Sequence, residues 1–269
     1  MLSCNERNEV TLRRDRDGSV VVKRFRLSSQ WEREVRAYKY VHITKSLPVP
    51  RLLRVLHKRI ELQFLRGVGD IALKSVVDHA RDFHLASLRG QMTPETFLVH
   101  DLSREKVLHR IGYIAKEASD RGIVDRDLIN SLKRFALRDY DPSGVRTLVH
   151  GDIKTPHLFQ TDAGLRFIDL GEVAWASPWY DQVFLLLERE PICGSIGELA
   201  DVAADAYGTL LGLTQEEVGV YLKSALVYRA LYNFGYALRH RPAKTIRRTW
   251  KELWHSVECS ANAPWPHLR

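Results

Sequence analysis

The stretch from Arg146 to Glu172 constrains this chain more than any other, because it is a β-type interruption in a half otherwise patterned for helices. The run TLVHGDIKTPHLF is followed by a TDAG turn and then by LRFIDLGE. Apolar runs on either side of a polar stretch and a Gly-containing turn predict a strand, a polar loop, a hairpin and a closing strand. That order puts His150, Asp152 and His157 on one loop, and Asp169 at the end of the neighbouring strand. Two carboxylates then face one cleft. Phosphoryl transfer needs such a pair: one to accept or orient the proton of an attacking hydroxyl, the other to hold the magnesium that bridges the nucleotide phosphates.

The remaining chain supplies a framework for that loop. EVTLRR and SVVVKRF, joined through DRDG, read as a hairpin whose Asp-Gly can take positive φ. Residues 29–42 place Trp31, Val35, Tyr38 and Val41 at helical spacing, with Ser28 or Ser29 available as a cap. Leu47-Pro48-Val49-Pro50 breaks that helix, LLRVLH and IELQFL read as two further strands, and Arg66-Gly67-Val68-Gly69 ends them. Beyond residue 70 the pattern is mainly helical, with runs near 103–120, 125–138, 196–210, 215–238 and 243–257. The expectation is an α+β chain of two unequal lobes: a small β-rich N-terminal lobe, residues 1–69, and a larger, mainly helical C-terminal lobe, residues 70–269.

His150-Gly151-Asp152, with His157 five residues after the acid and Ile168-Asp169-Leu170-Gly171 beyond it, resembles the catalytic and metal loops of aminoglycoside and choline kinase-type phosphotransferases. Val22-Lys23, Glu34, Leu47-Pro48-Val49-Pro50 and Phe64-Leu65-Arg66-Gly67 come in the order that this protein-kinase-like superfamily uses, so the resemblance spans roughly residues 19 to 187. It implies a bilobal protein-kinase-like fold using ATP and Mg2+, with Asp152 as catalytic base and Asp169 as metal ligand. It further implies that Lys23 holds the α and β phosphates, that Glu34 orients Lys23, and that the backbone of Phe64, Leu65 and Arg66 receives the adenine. Asp181, in Ser177-Pro178-Trp179-Tyr180-Asp181, matches the acid that braces the catalytic loop in that family.

Three departures from the family pattern bear on subclass. Lys154, two positions after Asp152, resembles the protein-kinase arrangement, in which a lysine neutralises charge on the transferred phosphoryl group. His157 stands where the family usually has asparagine, as in lipopolysaccharide-core sugar kinases and some macrolide kinases, and is the second candidate metal ligand although magnesium prefers oxygen. No G-x-G-x-x-G precedes Lys23, so the first strand is expected to be short or missing. The same residues admit plainer roles: Lys23 as an edge-strand lysine, Glu34 as a helix-surface ion-pair partner, His157 as a packed loop histidine. Asp127 imitates a kinase Arg-Asp motif but reads as a helix-start charge.

Charge and composition bound the partners. The chain carries 41 Lys+Arg against 33 Asp+Glu, a net charge of +8, which favours anionic ligands without choosing among them. The expected partners are a nucleotide and a small-molecule or glycan acceptor such as a sugar or aminoglycoside-like compound, and no nucleic acid. Cys4, Cys193 and Cys259 form no C-x-x-C pair, and no apolar run approaches a membrane span; a cytoplasmic protein is expected. The basic, Trp-bearing segment 239–255 suits contact with an anionic membrane, yet Ile246, Trp250, Leu253 and Val257 share one helical face, which is how a helix packs on a core. Alternatives to the small-molecule kinase are a glycolipid sugar kinase, a protein Ser/Thr kinase and an inactive pseudokinase.

Overall fold

Between Asn8 and Phe25 residues of high β propensity surround Asp15 and Gly18, and the chain folds back on itself there. Strands β2 (Asn8–Asp15) and β3 (Gly18–Phe25) pair antiparallel with Thr11 opposite Val22. The computed structural model describes residues 3–4, 8–15, 18–44, 49–67, 70–89, 98–99, 103–123, 126–141, 144–187 and 194–262. The hairpin residues Arg16 and Asp17, the break at Leu47-Pro48, and Val68-Gly69 lie outside them.

The described chain forms two compact units: residues 1–99 with 147–175, and residues 100–146 with 176–269. In the first, a two-residue strand β1 (Ser3–Cys4) lies along β2, as expected of a short first strand. Strands β4 (Leu52–Leu56) and β5 (Arg59–Gln63) complete an antiparallel sheet of order β1-β2-β3-β5-β4. Helix α1 (Ser28–Thr44) follows β3 and packs on β3 and β4, burying Val35, Ala37 and Tyr38. Helix α2 (Leu73–Arg89) packs on β7 (Thr147–Val149) and buries Val76, Val77, Ala80 and Phe83. Strand β6 (Leu98–Val99) runs parallel to β10 (Ala174–Ala176), and β8 (Leu158–Thr161) pairs with β9 (Gly164–Phe167) across the anticipated turn. The interruption read in the sequence is therefore real, but α2 falls in a stretch where no helical run was singled out, and the strands around the loop extend to 176.

The second unit is helical: α3 (Arg104–Asp120), α4 (Arg126–Arg138), the short α5 (Trp179–Gln182) and α6 (Phe184–Leu187), α7 (Ile196–Leu211), α8 (Gln215–His240) and α9 (Ala243–Asn262). Local chemistry sets several of these starts. Thr214 and Glu217 form a reciprocal capping box at α8, and Ser195 accepts the Glu198 amide at α7. Asp127 sits in the first turn of α4. Helix α8 is the centre of the unit, packed by α3, α5, α7 and α9. Its Leu222, Leu231 and Phe234 are fully buried, each worth about 1.5–3 kcal/mol of hydrophobic stabilisation. On α9, Ile246, Leu253 and Val257 are buried and Trp250 lies against Phe234, so the apolar face of that helix is spent on the core. Among the described residues no helix is long and apolar enough to cross a membrane.

Candidate active site

Lys23 lies on β3, which has a paired strand on each side, with Val10 opposite it on β2 and Ile60 on β5. It is a central-strand lysine and not an edge one. A lysine held in a sheet interior needs counter-charges. It finds two: Nζ donates to Glu34 Oε2 on α1 at 2.7 Å and to Asp169 Oδ1 at 2.8 Å. The Lys23 and Glu34 side chains are only 7% and 1% exposed, whereas that of Asp169 is 39% exposed. Burial disfavours the Lys23 ammonium, but Glu34 and Asp169 overcome it, and the net shift is upward, so the charge is kept.

One cation serves two carboxylates in this cluster, and that leaves a negative charge uncompensated. Burial pushes the Glu34 carboxyl up to about 7 against the pull of Lys23. Its Oε1 is buried without a hydrogen-bond partner. Asp169 moves the other way: burial opposes ionisation, but Lys23 holds its carboxyl well below the usual range. Asp169 lies two residues beyond the end of β9, in left-handed conformation with φ 63°. Gly171 follows in a 3-10 turn; a Cβ there would lie 3.3 Å from both Asp169 Oδ1 and Glu34 Oε2, so a side chain would crowd the cluster.

Across β7 the loop holds the other acid. Gly151 has φ +80°, and a Cβ on it would stand 2.1 Å from the Glu172 carbonyl oxygen. Only glycine fits that backbone approach. His150 is fully buried between Phe83 and Phe167. Its Nδ1 accepts the Asp152 amide at 3.3 Å, which leaves the hydrogen on Nε2 to donate to the Ile168 carbonyl at 2.9 Å. One ring thus ties the residue carrying Asp152 to the residue before Asp169. Lys154 Nζ lies 2.6 Å from Asp152 Oδ2.

His157 ends the 3-10 turn Thr155–His157, and its Nδ1 is 2.9 Å from the Asp152 backbone carbonyl, an atom that can only accept. Burial pushes the imidazole pKa down although Asp152 and Asp169 pull it up, so the ring is neutral with its hydrogen on Nδ1. Nε2 therefore turns a lone pair toward Asp169 Oδ2 at 3.6 Å. Two electron-pair donors facing each other across that gap fit a cation between them. Among the described residues no three His, Cys, Asp or Glu side chains gather as a metal cage.

Phe64, Leu65 and Arg66 follow β5 without regular secondary structure; Phe64 and Arg66 are exposed and Leu65 is half-buried. Asp181 is fully buried in the first turn of α5, within the helical unit. Sequence reasoning named Lys23, Glu34, Asp152, Lys154, His157 and Asp169, and the fold gathers them in one unit. It gave no roles to His150, Gly151 or Gly171. The His-Gly-Asp tripeptide was the available signal for the first two; the crowding at Gly171 is invisible without coordinates.

Residues 4–216 match the model of the phosphotransferase enzyme family. The chain belongs to that family. It is a kinase-type phosphotransferase with the α+β protein-kinase-like fold, and solved structures that cover nearly all of the chain share that fold. The streptomycin–ATP ternary complex of APH(2″)-IIa is 15% identical with a TM-score of 0.64, covering 96% of this chain and 92% of that one. The apoenzyme of macrolide 2′-phosphotransferase MphH from Brachybacterium faecium is 17% identical with a TM-score of 0.68, covering 98% and 91%. The GDP complex of aminoglycoside 2′-phosphotransferase-IIIa is 15% identical with a TM-score of 0.67, covering 95% and 91%. No curated protein matches the chain.

Proposed function

We propose that this phosphotransferase moves the γ-phosphate of ATP to a hydroxyl group of a small molecule, with magnesium as the bound metal. The observation that carries the reading is Lys23 bridging Glu34 and Asp169 at 2.7 and 2.8 Å, in one unit with the loop that bears Asp152. Lys23 would reach the α and β phosphates, and Glu34, 2.7 Å from its Nζ, keeps the amine aimed. The backbone from Phe64 to Arg66 receives the base. Asp169 and His157 would hold the magnesium, which would supply neutralisation of charge on the phosphate oxygens. Asp152 accepts or orients the proton of the acceptor hydroxyl, and Lys154, 2.6 Å away, supplies positive charge beside the phosphoryl group in flight.

Functionally the division runs at residue 69: residues 1–69 form the nucleotide-binding lobe with its hinge, and residues 70–269 supply catalysis and the acceptor site. This is a division by role and differs from the division by compactness. The reaction is assigned to the cytoplasm, where ATP is available. ATP titration by calorimetry, with and without magnesium, tests the reading on wild type and Asp169→Ala. Magnesium-dependent binding lost in the variant supports it. Wild type that binds no nucleotide makes the chain an inactive relative instead.

A further inference from the structure

In the helical unit, α8 carries no acidic residue from Val218 to His240. Arg229 and Tyr232 lie one turn apart on it, and Arg110 projects from α3. The Arg229 guanidinium lies 3.7 Å from the Phe184 ring centre, 5.1 Å from that of Tyr180 and 5.4 Å from that of Tyr232. The Arg110 guanidinium lies 4.9 Å from the same Tyr232 ring and 5.4 Å from that of Tyr228. Two cations therefore share one aromatic cage. Tyr180, Tyr228 and Phe184 are buried, and the Tyr180 hydroxyl takes a hydrogen bond from Arg229 Nη1.

Both arginines are half-buried, and a guanidinium drawn partly out of water against aromatic rings is commonly accompanied by a carboxylate. Here neither guanidinium has one among the described residues, and Arg110 makes no hydrogen bond to them. Positions three and four residues to either side of Arg229 are Ala225, Leu226, Tyr232 and Asn233, and those around Arg110 are Lys106, Val107, Tyr113 and Ile114, so neither helix supplies an acid on the same face. Cation–π contact compensates only part of the cost of gathering two like charges. The Arg229 Nε is buried without a partner, while the other side of its fork is neither buried nor bonded. The donors that remain are those that suit the planar oxygens of a phosphate or carboxylate.

We infer that Arg110 and Arg229, braced by Tyr180, Tyr228, Tyr232 and Phe184, form a binding site for the phosphate or carboxylate group of a small molecule. Such a site within the helical unit selects an anionic, phosphorylated or acid-bearing compound over a polycationic one.

Inorganic phosphate and citrate serve as probes, with protection against thermal unfolding and titration calorimetry as readouts. Four versions of the full chain are compared: wild type, Arg110→Gln, Arg229→Lys and Lys23→Met. Arg110 makes no hydrogen bond to the described residues, so its variant is expected to fold; Arg229→Lys keeps the charge but loses the planar fork. The expected result is binding that survives Lys23→Met and weakens about tenfold or more in each arginine variant. Binding lost in Lys23→Met but intact in the arginine variants assigns the anion to the nucleotide phosphate site and overturns the proposal. So does the absence of any binding by wild type. Magnesium–ATP binding is measured in parallel on the arginine variants, where it is expected to be unchanged. If wild type binds phosphate but not ATP, the kinase reading fails and the anion site stands.

Discussion

Each of the two units holds a cluster of unbalanced charge, and the two are built in opposite ways. In the sheet-containing unit one lysine is shared by two carboxylates, so the cluster lacks positive charge. In the helical unit two half-buried arginines share aromatic rings with no carboxylate among the described residues, so within those residues the cluster lacks negative charge. A buried polar group without its partner costs free energy unless the missing partner arrives with a ligand. The first cluster therefore suits a metal or a proton, and the second an anion. The first is also bonded closely enough for its members to depend on one another, whereas the second is held mainly by ring packing.

The sharpest way to break the first side of this comparison is at its chemistry. Asp152→Asn keeps the loop's shape but removes the carboxylate proposed to accept the proton, and phosphoryl transfer is expected to fall by about 10²–10⁴-fold with magnesium–ATP binding retained. Rates and calorimetry on the same preparation decide it; loss of binding in step with rate points to a collapsed loop instead.

Lys23→Met leaves Glu34 and Asp169 facing each other without their cation, and should cost about 3–5 kcal/mol in urea unfolding. Arg110→Gln, in the cluster held by rings, should cost less than about 1 kcal/mol. Equal costs would remove the contrast between the two clusters.

Gly151→Ala tests the backbone under Asp152. The added methyl meets the Glu172 carbonyl and must adopt positive φ, so a loss of about 1–3 kcal/mol is expected, along with activity. An active, undiminished variant would show that the loop relaxes freely.

The smallest effect concerns pH. The Glu34 carboxyl sits at about 7 in the folded chain against an ordinary value of 4.5. Between those values the folded state binds more protons than the unfolded one, so this group makes stability fall as pH rises through the window and level off above about 7. His157 is shifted downward and contributes the opposite slope below its ordinary 6.5. The difference between wild type and Glu34→Gln isolates the first term: unfolding midpoints from pH 5 to pH 8 should fall more in wild type than in the variant.

Much of this was legible in the sequence. Runs near 103–120, 125–138 and 196–210 correspond to α3 at Arg104–Asp120, α4 at Arg126–Arg138 and α7 at Ile196–Leu211, because caps and apolar spacing are local properties. Helix α2 was overlooked although Leu73, Val76, Val77, Ala80 and Phe83 keep helical spacing; the charged and histidine residues between them masked the stripe. Strand β6 is two residues long and is defined by its pairing with β10, so no local signal could announce it.

The sequence by itself determined the residue types, their order and the strand-loop-hairpin punctuation, since these follow from backbone preferences and side-chain spacing within a few residues. Asp152 and Asp169 were nameable on those grounds, whereas Lys23 and Glu34 were named through the resemblance to a family. Only the tertiary structure decided that Lys23 is shared between carboxylates 11 and 146 residues away, that the His157 lone pair faces Asp169, and that Arg110 and Arg229 meet on one tyrosine ring. The physical reason is that charge compensation is a sum over neighbours in space, and those neighbours come from distant parts of the chain.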